Sequence, residues 1–544
     1  MNILQKVTSV MKAVGYVHGR PSPSADGSLH DVSRIQSNSD YCLPHGYIER
    51  ETPEYFNDVN PSTEIIYWQP EVYVLAEYLL TADRRSCVLD IGCGNGEKLA
   101  MLQCQSKIGM DHGGNLALFR THLPGARTIA HDLETDFPAL DIEPKQTVVI
   151  CADVVEHLRD PRPLMNGLAS LCNAGAIVIM STPDRTRTRG KDHHGPPPNP
   201  AHVREWAFEE WTAFATSRGL PPVFAGYTIN TNQNRSKRTI VSIHDSRIER
   251  ALRVSVDRPR PLAILSVYNA ADVIEQTLRR CLDQGFDIHL VDQWSTDGSF
   301  EILRAVADST RDRISLERFP AVDASDKLRW NILRRKAEVA SRFPGRWIVH
   351  WDACEAFESA WKGTTLSRAL DAIETAGYNA ADFCVARFRP TREDLKRGDD
   401  VNSFTHFAYA LRPGDFVQTK AWIQPQGIVD LAASGGHHVQ FDGIRPFPFR
   451  MLIRDYLPQS GRQAQRNDLR VAGWNPNARQ PFKRNGSRGA SRSSRNEAEL
   501  HAFDPHGFHA DYLLELVSDV VWRRRAPNWA PVFGTHEASR NMWA

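Results

Sequence analysis

One segment of the chain places an acidic residue and three glycines where a strand gives way to a helix. The segment VLDIGCGNG carries Asp90, Gly92, Gly94 and Gly96 directly after an apolar run. Glycines at such a turn let backbone N–H groups approach a ligand closely. The chemistry that this pattern favours is the binding of a nucleotide-like ligand at a strand–helix turn.

Further acidic side chains follow the next strand-like runs. Asp111 ends KIGMD about 20 residues after the loop begins, where a carboxylate can hold ribose hydroxyls. Asp132 in AHDLE is placed to contact an adenine, and CADVVEHLRDP carries Asp153, Glu156 and His157 at a strand end, beyond which open α/β sheets bind ligands. For Asp153 and Glu156 alone, helix capping and solvated charge remain the alternative to a binding role.

These motifs together resemble the class I methyltransferases that depend on S-adenosylmethionine (SAM). DIGCGNG, the acid of IGMD, and DVVEHL followed by DP carry the resemblance, which covers residues 64–244. It implies a Rossmann-like domain that uses SAM as methyl donor, and a Rossmann-type site for another nucleotide is the disfavoured alternative. The cofactor-binding residues expected are Asp90, Gly92, Gly94, Gly96, Asp111, Asp132 and Asp153.

Histidines supply the candidates for acid–base chemistry. A hydroxyl acceptor needs a base to remove its proton, and His157 lies at the mouth of the predicted site. His193, His194 and His202 lie in or near HHGPPPNPAHVREW, and in related enzymes the segment resembling NPAHVREW closes over the active site. We predict His157 and His202 as catalytic residues. The histidine spacing matches no standard zinc pattern and no carboxylate is evidently paired with these residues, which favours exposed loop histidines over a metal site.

The second half of the chain has its own acidic pattern. AILSVYNAADVIEQTL and HLVDQWSTDGS set a strand, a turn and a helix, then a strand that ends in Asp292. Asp297 in the turn can cap the next helix, and WIVHWDACE delivers Asp352 and Glu355. Carboxylates suit a nucleotide base or ribose, and they are the ligands that Mg²⁺ and Mn²⁺ prefer. A diphosphate leaving group needs such a cation or a cationic side chain.

These motifs resemble family 2 glycosyltransferases of the GT-A fold over residues 262–467, with an echo at AFDPHGFHADYLLE. The resemblance implies transfer of a sugar from a nucleotide sugar bound by Asp292, Asp297 and Asp352. It also implies a divalent metal, Mg²⁺ or Mn²⁺, held by Asp352, Glu355 and His437 of SGGHH, with His437 as a further catalytic candidate.

Two positions depart from the family pattern. Cys354 stands where the family's Asp-x-Asp motif has its second Asp, and a thiol is a poor ligand for Mg²⁺. Asp455 in RDYLPQS stands in the position of a histidine and could substitute as an oxygen ligand. A domain that binds a sugar or a partner without catalysing transfer is therefore the alternative.

Strand and helix signals alternate through both halves of the chain, which predicts two α/β domains, each with a β-sheet that positions these residues. The fold class predicted is α/β, with an N-terminal Rossmann-like methyltransferase domain and a C-terminal GT-A-like domain. The predicted strands are Cys87–Ile91, Lys107–Asp111, Val148–Ala152, Ala176–Ser181, an edge strand Thr239–His244, Leu262–Val267, Asp287–Val291, Trp347–Trp351 and Asp382–Phe388. The predicted helices are Glu64–Leu80, Phe208–Arg218, Ala271–Asp283, Ser299–Ala307 and His509–Arg523.

Composition shifts divide the chain into six predicted segments. They are an irregular arm (1–61), the methyltransferase domain (62–246), a linker (247–260), the GT-A-like domain (261–472), a disordered basic Gly/Ser-rich segment (473–500), and a C-terminal helix and tail (501–544).

Charge and cysteine usage exclude several classes of protein. The chain has 66 Lys and Arg against 65 Asp and Glu, which gives no electrostatic reason to expect nucleic acid or membrane as the main partner. The nine cysteines form no CxxC pair, which argues against a zinc ribbon or a disulfide framework. The N-terminus is too polar for a signal peptide and no apolar run approaches a membrane span. We expect a cytoplasmic protein, with peripheral membrane contact of the first segment as the disfavoured alternative.

The leading hypothesis is a bifunctional enzyme of glycan assembly that methylates and transfers a sugar. A shared saccharide or glycolipid acceptor would explain the fusion, since tethering raises the effective concentration of the second site. The competing hypothesis is a methyltransferase that carries a non-catalytic glycan-binding module. The sequence does not indicate the methyl acceptor, the donor sugar or the oligomeric state.

Overall fold

The computed structural model describes residues 40–54, 66–233, 236–254, 256–310, 312–320, 329–361, 363–389, 391, 393, 404–409, 417–456 and 501–502. The chain divides into two compact units between residues 254 and 255. The predicted disordered segment and the predicted helix His509–Arg523 lie outside the described residues. No helix within the described ranges is long and apolar enough to cross a membrane.

The N-terminal unit is built on one seven-stranded sheet in the order β3-β2-β1-β4-β5-β7-β6. Strands β1 to β5 are parallel, and β7 is antiparallel to both of its neighbours. The strands are β1 (Cys87–Ile91), β2 (Ser106–Asp111), β3 (Arg127–Ala130), β4 (Thr147–Ala152), β5 (Ile177–Pro183), β6 (Phe224–Ile229) and β7 (Lys237–His244).

Helices connect these strands because their apolar residues recur at helical spacing. In Arg162–Asn173, Leu164, Met165, Leu168 and Cys172 are buried along one face. The helices are α1 (Pro70–Ala82), α2 (Glu97–Met101), α3 (Asn115–His122), α4 (Arg162–Asn173), α5 (Arg185–Arg189), α6 (Phe208–Ser217) and α7 (Ser246–Arg253).

One sequence prediction for this unit was wrong. The strand predicted at Thr239–His244 is not at the edge, because β7 lies between β5 and the edge strand β6. The sequence FAGYTI of β6 lacks a continuous apolar run, although all six of its residues are buried. The predicted linker contains α7, whose charged sequence hides a buried pair, Ile248 and Ala251.

The C-terminal unit is built on a ten-stranded mixed sheet. Its main path is β10-β9-β8-β11-β15-β13-β14-β17, and β16 joins β12 to β13. Strands β8, β9, β10 and β11 are parallel, and β15 is antiparallel to β11. The strands are β8 (Leu262–Val267), β9 (Asp287–Asp292), β10 (Ile314–Arg318), β11 (Trp347–Asp352), β12 (Glu355–Glu358), β13 (Ala380–Phe388), β14 (His406–Tyr409), β15 (Val417–Ile423), β16 (Met451–Tyr456) and β17 (His501–Ala502).

Four helices of this unit lie within the described residues. They are α8 (Ile274–Asp283), α9 (Ser299–Ser309), α10 (Arg329–Ala340) and α11 (Leu366–Thr375). The α/β class predicted for both halves is confirmed, and the predicted strands match the observed ones to within two residues at each end.

Candidate active sites at the strand ends

The glycine loop after β1 closes on Asp111 at the end of β2. Gly94 donates its backbone N–H to Asp111 Oδ2 at 2.8 Å. The backbone φ values of Gly92, Gly94 and Gly96 are 72°, 55° and 77°, which residues other than glycine rarely adopt. A Cβ on Gly92 would lie 2.4 Å from Val154 Cγ2. The loop is therefore shaped by glycines and lies against Asp111, and cofactor binding by these residues stays a prediction.

The second oxygen of Asp111 organises the start of α3. Asp111 Oδ1 accepts hydrogen bonds from the backbone N–H of His112 at 2.7 Å and from Asn115 Nδ2 at 3.1 Å. Asp132 lies two residues beyond β3, partly buried, and its Oδ1 accepts from the N–H of Glu134 at 3.0 Å. Asp111 ends β2 and Asp132 follows β3, so the two carboxylates lie at the ends of neighbouring strands.

Asp90, the fourth residue of β1, is buried. It is 1% exposed, and Tyr73 donates its hydroxyl hydrogen to Asp90 Oδ2 at 3.0 Å. Burial raises the pKa of Asp90 to about 7, although Lys98 and the Tyr73 hydrogen bond oppose the shift. The Tyr73 partner was not anticipated, since the sequence showed no reason to connect α1 with the loop.

Asp153 holds an uncommon backbone conformation at the end of β4. Its φ is 54°, in the left-handed region, and Gln69 Nε2 donates to its Oδ2 at 2.7 Å. Its Oδ1 is buried and has no hydrogen-bond partner among the described residues. Strained conformations of this kind cluster at functional sites.

Glu156, His157 and His202 meet beyond the same strand end. The rings of His157 and His202 pack edge to face with centroids 4.8 Å apart. The carboxyl group of Glu156 is fully buried, and no donor among the described residues meets hydrogen-bond geometry at either oxygen, although the Thr182 hydroxyl is near enough to lower its pKa. Burial raises the pKa of Glu156 well above its ordinary value, and the nearby Asp153 raises it further.

The orientation of both histidine rings is fixed by acceptors for Nδ1–H. His157 donates from Nδ1 to the carbonyl oxygen of Ala201 at 2.9 Å. His202 donates from Nδ1 to Glu205 Oε1 at 2.7 Å. Burial lowers the pKa of His157 to about 4, so this ring is neutral at pH 7 with its lone pair on Nε2.

The loop that carries His202 is tied to the strand end through its backbone. Val203 donates its N–H to the carbonyl oxygen of Glu156 at 2.8 Å, and the buried guanidinium of Arg204 donates to Leu158 O, also at 2.8 Å. His193 and His194 stay outside this cluster, half-buried and exposed respectively.

The expectation that no carboxylate is paired with these histidines was wrong. Glu205 accepts from His202, and Glu156 is brought beside His157 and His202 by the fold. Glu205 follows His202 by three residues in an irregular segment, where helical spacing rules give no signal.

In the C-terminal unit, Asp292 and Asp297 form contacts at the two ends of the loop between β9 and α9. Asp292 is buried at the end of β9 and pairs with Arg318 Nε at 3.3 Å. Asp297 Oδ1 accepts from the N–H of Ser299 at 3.1 Å, and its Oδ2 accepts from that of Ala271 at 3.2 Å. The helix-capping part of the prediction for Asp297 is therefore observed, and nucleotide binding by both residues stays a prediction.

Two buried lysines contact the carboxylates of Asp352, which ends β11, and Glu355, which begins β12. Lys420 Nζ is 2.5 Å from Glu355 Oε1 and 3.4 Å from Asp352 Oδ2. Lys336 Nζ is 3.7 Å from Asp352 Oδ1 and also contacts His350 Nδ1 at 3.0 Å. Both lysine side chains are 2% exposed or less. The positive charge at these carboxylates is thus supplied by the chain itself.

The metal site predicted from Asp352, Glu355 and His437 is not assembled in this arrangement. Within the described ranges, these three side chains do not bring ligand atoms within 4.8 Å of one another. Gly436 packs so closely against β11 that a Cβ would lie 2.8 Å from His350 Nε2, and it is His438 that reaches Thr419 Oγ1 on β15, at 3.1 Å. With ammonium groups on both carboxylates, the residues do not fit a divalent cation.

The two departures from the family pattern lie against each other. Asp455 on β16 is the register partner of Glu355 on β12, and Cys354 Sγ–H donates to Asp455 Oδ1 at 3.6 Å. Burial raises the pKa of Asp455, while Arg387 and Lys420 act in the opposite direction. Asp455 therefore joins this acidic group as a partner of the thiol.

Comparison with known families divides the chain at the same place. Residues 69–231 match the model of a methyltransferase domain, and residues 263–322 match that of glycosyl transferase family 2. The chain therefore carries a methyltransferase domain followed by a domain similar to family 2 glycosyltransferases.

Curated relatives match part of the N-terminal half. A ubiquinone biosynthesis O-methyltransferase of Stutzerimonas stutzeri (strain A1501) is 30% identical over 155 residues, which is 26% of this chain and 60% of the relative. The protein of the same name from Proteus mirabilis (strain HI4320) is 30% identical over 111 residues, 18% of this chain and 43% of the relative. The chain thus spans less than two thirds of either relative.

Among solved structures, the Burkholderia thailandensis 1,6-didemethyltoxoflavin-N1-methyltransferase with bound S-adenosylhomocysteine is similar to 32% of this chain. The match covers 79% of that chain, with 14% sequence identity and a TM-score of 0.26.

Asp90 should make the stability of the N-terminal unit depend on pH. Its pKa is about 7 in the folded protein against an ordinary value of 3.8. Between these values the unfolded chain releases a proton that the folded chain keeps, so stability falls as pH rises from 4 to 7, by at most about 1.4 kcal/mol per pH unit. Asp90→Asn should flatten this slope, measured by hydrogen exchange of β1 amides at pH 5 and pH 7. Equal slopes in both proteins would contradict the assignment.

Lys420→Met should destabilise the C-terminal unit because it leaves the buried Glu355 without this ammonium group. Breaking a buried ion pair costs about 3–5 kcal/mol. Adding Glu355→Gln should restore part of that loss, since the neutral amide needs no counter-charge. Denaturant dependence of hydrogen exchange in β11 and β15 measures both variants. A single variant as stable as the wild type would show that the pair is not a buried ionic contact.

Proposed function

We propose that the N-terminal unit transfers the methyl group of SAM to a hydroxyl group. The observation that carries the proposal is the glycine loop after β1, whose Gly94 N–H is held on Asp111 next to the polar end of β4. The match of residues 69–231 to a methyltransferase domain supports SAM as donor. The two curated relatives named O-methyltransferases support oxygen as the acceptor atom.

Each group at this edge has a role in holding the cofactor. Asp111 accepts the ribose hydroxyls, because it is a carboxylate at the second strand end. The positive φ values of Gly92, Gly94 and Gly96 shape the turn against which the cofactor would lie. Asp132 contacts the adenine ring of SAM, and Asp153 contacts the part of SAM nearest the methyl acceptor.

The transfer itself is a single displacement. The acceptor oxygen forms a bond to the methyl carbon as the carbon–sulfur bond breaks, and the sulfur keeps the electron pair, which turns the sulfonium into a neutral thioether. The hydroxyl proton needs an acceptor. At this strand end the proton acceptors are Asp153 Oδ1, which is buried without a hydrogen-bond partner, and His157 Nε2, whose ring is neutral.

Replacing Asp111 tests the cofactor site directly. Asp111→Asn should weaken SAM binding about 10- to 100-fold, because a hydrogen bond to a charged group contributes about 1.5–3 kcal/mol. Asp141→Asn is the matched control, since its side chain is fully exposed, at 102%, and lies 4.0 Å from Arg127. Isothermal titration of SAM and S-adenosylhomocysteine measures the change. Equal affinity in wild type and Asp111→Asn would reject the proposed ribose contact, and absence of binding in the wild type would reject the function.

For the C-terminal unit we propose glycosyl transfer from a nucleotide sugar. Asp292 and Asp352 end the two strands that flank β8, which is the edge where the donor would bind. The match to glycosyl transferase family 2 over residues 263–322 supports this activity. Lys336 and Lys420, already on the carboxylates, provide cationic groups at the place where a diphosphate leaving group develops charge. A saccharide acceptor shared by both units would make the chain a bifunctional enzyme of glycan assembly.

Nucleoside diphosphate release from a panel of nucleotide sugars tests this second activity. Release is expected at similar rates with EDTA and with Mn²⁺, because the lysines carry the charge. The Asp111→Asn variant should release nucleoside diphosphate like the wild type, since that residue belongs to the other unit. Release that needs Mn²⁺ would contradict the role given to the lysines. No release and no donor-induced thermal shift would favour a non-catalytic glycan-binding module.

A further inference from the structure

The cluster at the end of β4 has the composition of a metal centre. Glu156 and His157 follow the strand, and His202 reaches them from the loop before α6. Within the described ranges these are the one set of three or more His, Cys, Asp or Glu side chains whose ligand atoms all lie within 4.8 Å of one another. We propose that Glu156, His157 and His202 bind a divalent transition-metal ion such as Zn²⁺ or Mn²⁺.

The buried carboxyl group of Glu156 is the strongest indication. It is 0% exposed, and both of its oxygens lack a hydrogen-bond partner among the described residues. Burying a polar group without a partner costs several kcal/mol, and buried charges are ordinarily paired or coordinate a metal. Glu355 at the start of β12 has Lys420 beside it, whereas Glu156 forms no ion pair among the described residues. A bound cation would satisfy both of its oxygens.

Both histidines are oriented as metal ligands usually are. Each donates its Nδ1–H to a fixed acceptor, His157 to Ala201 O at 2.9 Å and His202 to Glu205 Oε1 at 2.7 Å. Such outer contacts fix the tautomer, leave Nε2 with its lone pair, and make the ring a better ligand. Glu205 is itself completely buried and paired with Arg189 at 3.3 Å, so its position is set by the fold.

One contact must change when the ion binds. Asn199 Nδ2 donates to His202 Nε2 at 2.9 Å, and the ion would replace this donor on the same lone pair. The backbone remains in place, because Val203 N–H stays on Glu156 O at 2.8 Å and holds the loop against the strand end. The ligand atoms, which lie within 4.8 Å of one another, must also draw closer to reach about 2.1 Å from a common ion, so side chains move while this part of the backbone is held.

The proposed ligands, two histidines and one glutamate, are of the kind found in catalytic metal sites. Three protein ligands of His₂Glu type leave coordination positions open, as in catalytic rather than structural zinc sites. A cation there would lower the pKa of an acceptor hydroxyl. With His157 occupied as a ligand, Asp153 Oδ1 is the proton acceptor. This role rests on the proposed methyl transfer, but binding of the ion does not.

Cobalt titration of the full-length, untagged, metal-stripped protein tests the proposal. Wild type should bind one Co²⁺ with visible absorption bands of a nitrogen- and oxygen-ligated site. Glu156→Gln and His202→Ala should weaken this binding more than 100-fold, and Glu205→Gln, which only positions His202, should weaken it about 10- to 100-fold. His194→Ala is the matched control, since this exposed histidine of the same loop is outside the cluster.

Titration of SAM into each variant separates misfolding from loss of the metal. SAM affinity should stay within about threefold of wild type, because the ligand residues differ from the loop that holds the cofactor. Wild type that binds SAM but no Co²⁺, or that binds Co²⁺ equally after Glu156→Gln, would overturn the metal site and leave the methyltransferase proposal standing. Wild type that binds Co²⁺ through these residues but binds no SAM would support the metal site and reject the proposed function.

Discussion

Each unit depends on a central strand that pairs in parallel with two neighbours. In the N-terminal unit β1 lies between β2 and β4, with Ile91 in register with Met110 and Cys151. In the C-terminal unit β8 lies between β9 and β11, with Ser266 in register with Asp352. This pairing brings three strand ends to one edge of each sheet, although the chain places them far apart. Asp90, Asp111 and Asp153 in the first unit, and Asp292 and Asp352 in the second, lie at or next to these strand ends, at the edge where open α/β sheets bind ligands.

The two units handle buried carboxylates in different ways. At the start of β12, Glu355 has a lysine ammonium within 2.5 Å, and burial still raises its pKa to about 7. At the end of β4, Glu156 has no hydrogen-bond partner among the described residues, and its pKa is raised well above the ordinary range. The first arrangement is complete within the protein. The second leaves a buried carboxyl group without a hydrogen-bond partner among the described residues, and the proposed metal ion would supply one.

The sequence predicted the features that depend on contiguous residues. The glycine loop, Asp111 and most strand bounds could be found because each is a local pattern of apolar, glycine and acidic residues. Contacts between distant segments could not be found in this way. The Glu156–His202 cluster forms only when the loop before α6 folds back on β4, and its spacing along the chain matches no metal motif. Lys420 did leave a signal, since it is a charged residue inside the buried strand VQTKAWI, but its partners on β11 and β12 are set by sheet pairing. The edge strand β6 was missed because glycine and polar residues interrupt its apolar pattern.

The lysine pair of the C-terminal unit has a consequence for how that site is populated. A charge carried by an amino acid is present in every copy of the protein from the moment the chain folds. A charge carried by an ion depends on how much of that ion the surroundings supply and on what competes for it. Lys336 and Lys420 therefore make the positive charge at Asp352 and Glu355 a property of the amino-acid sequence that does not depend on the supply of a metal ion.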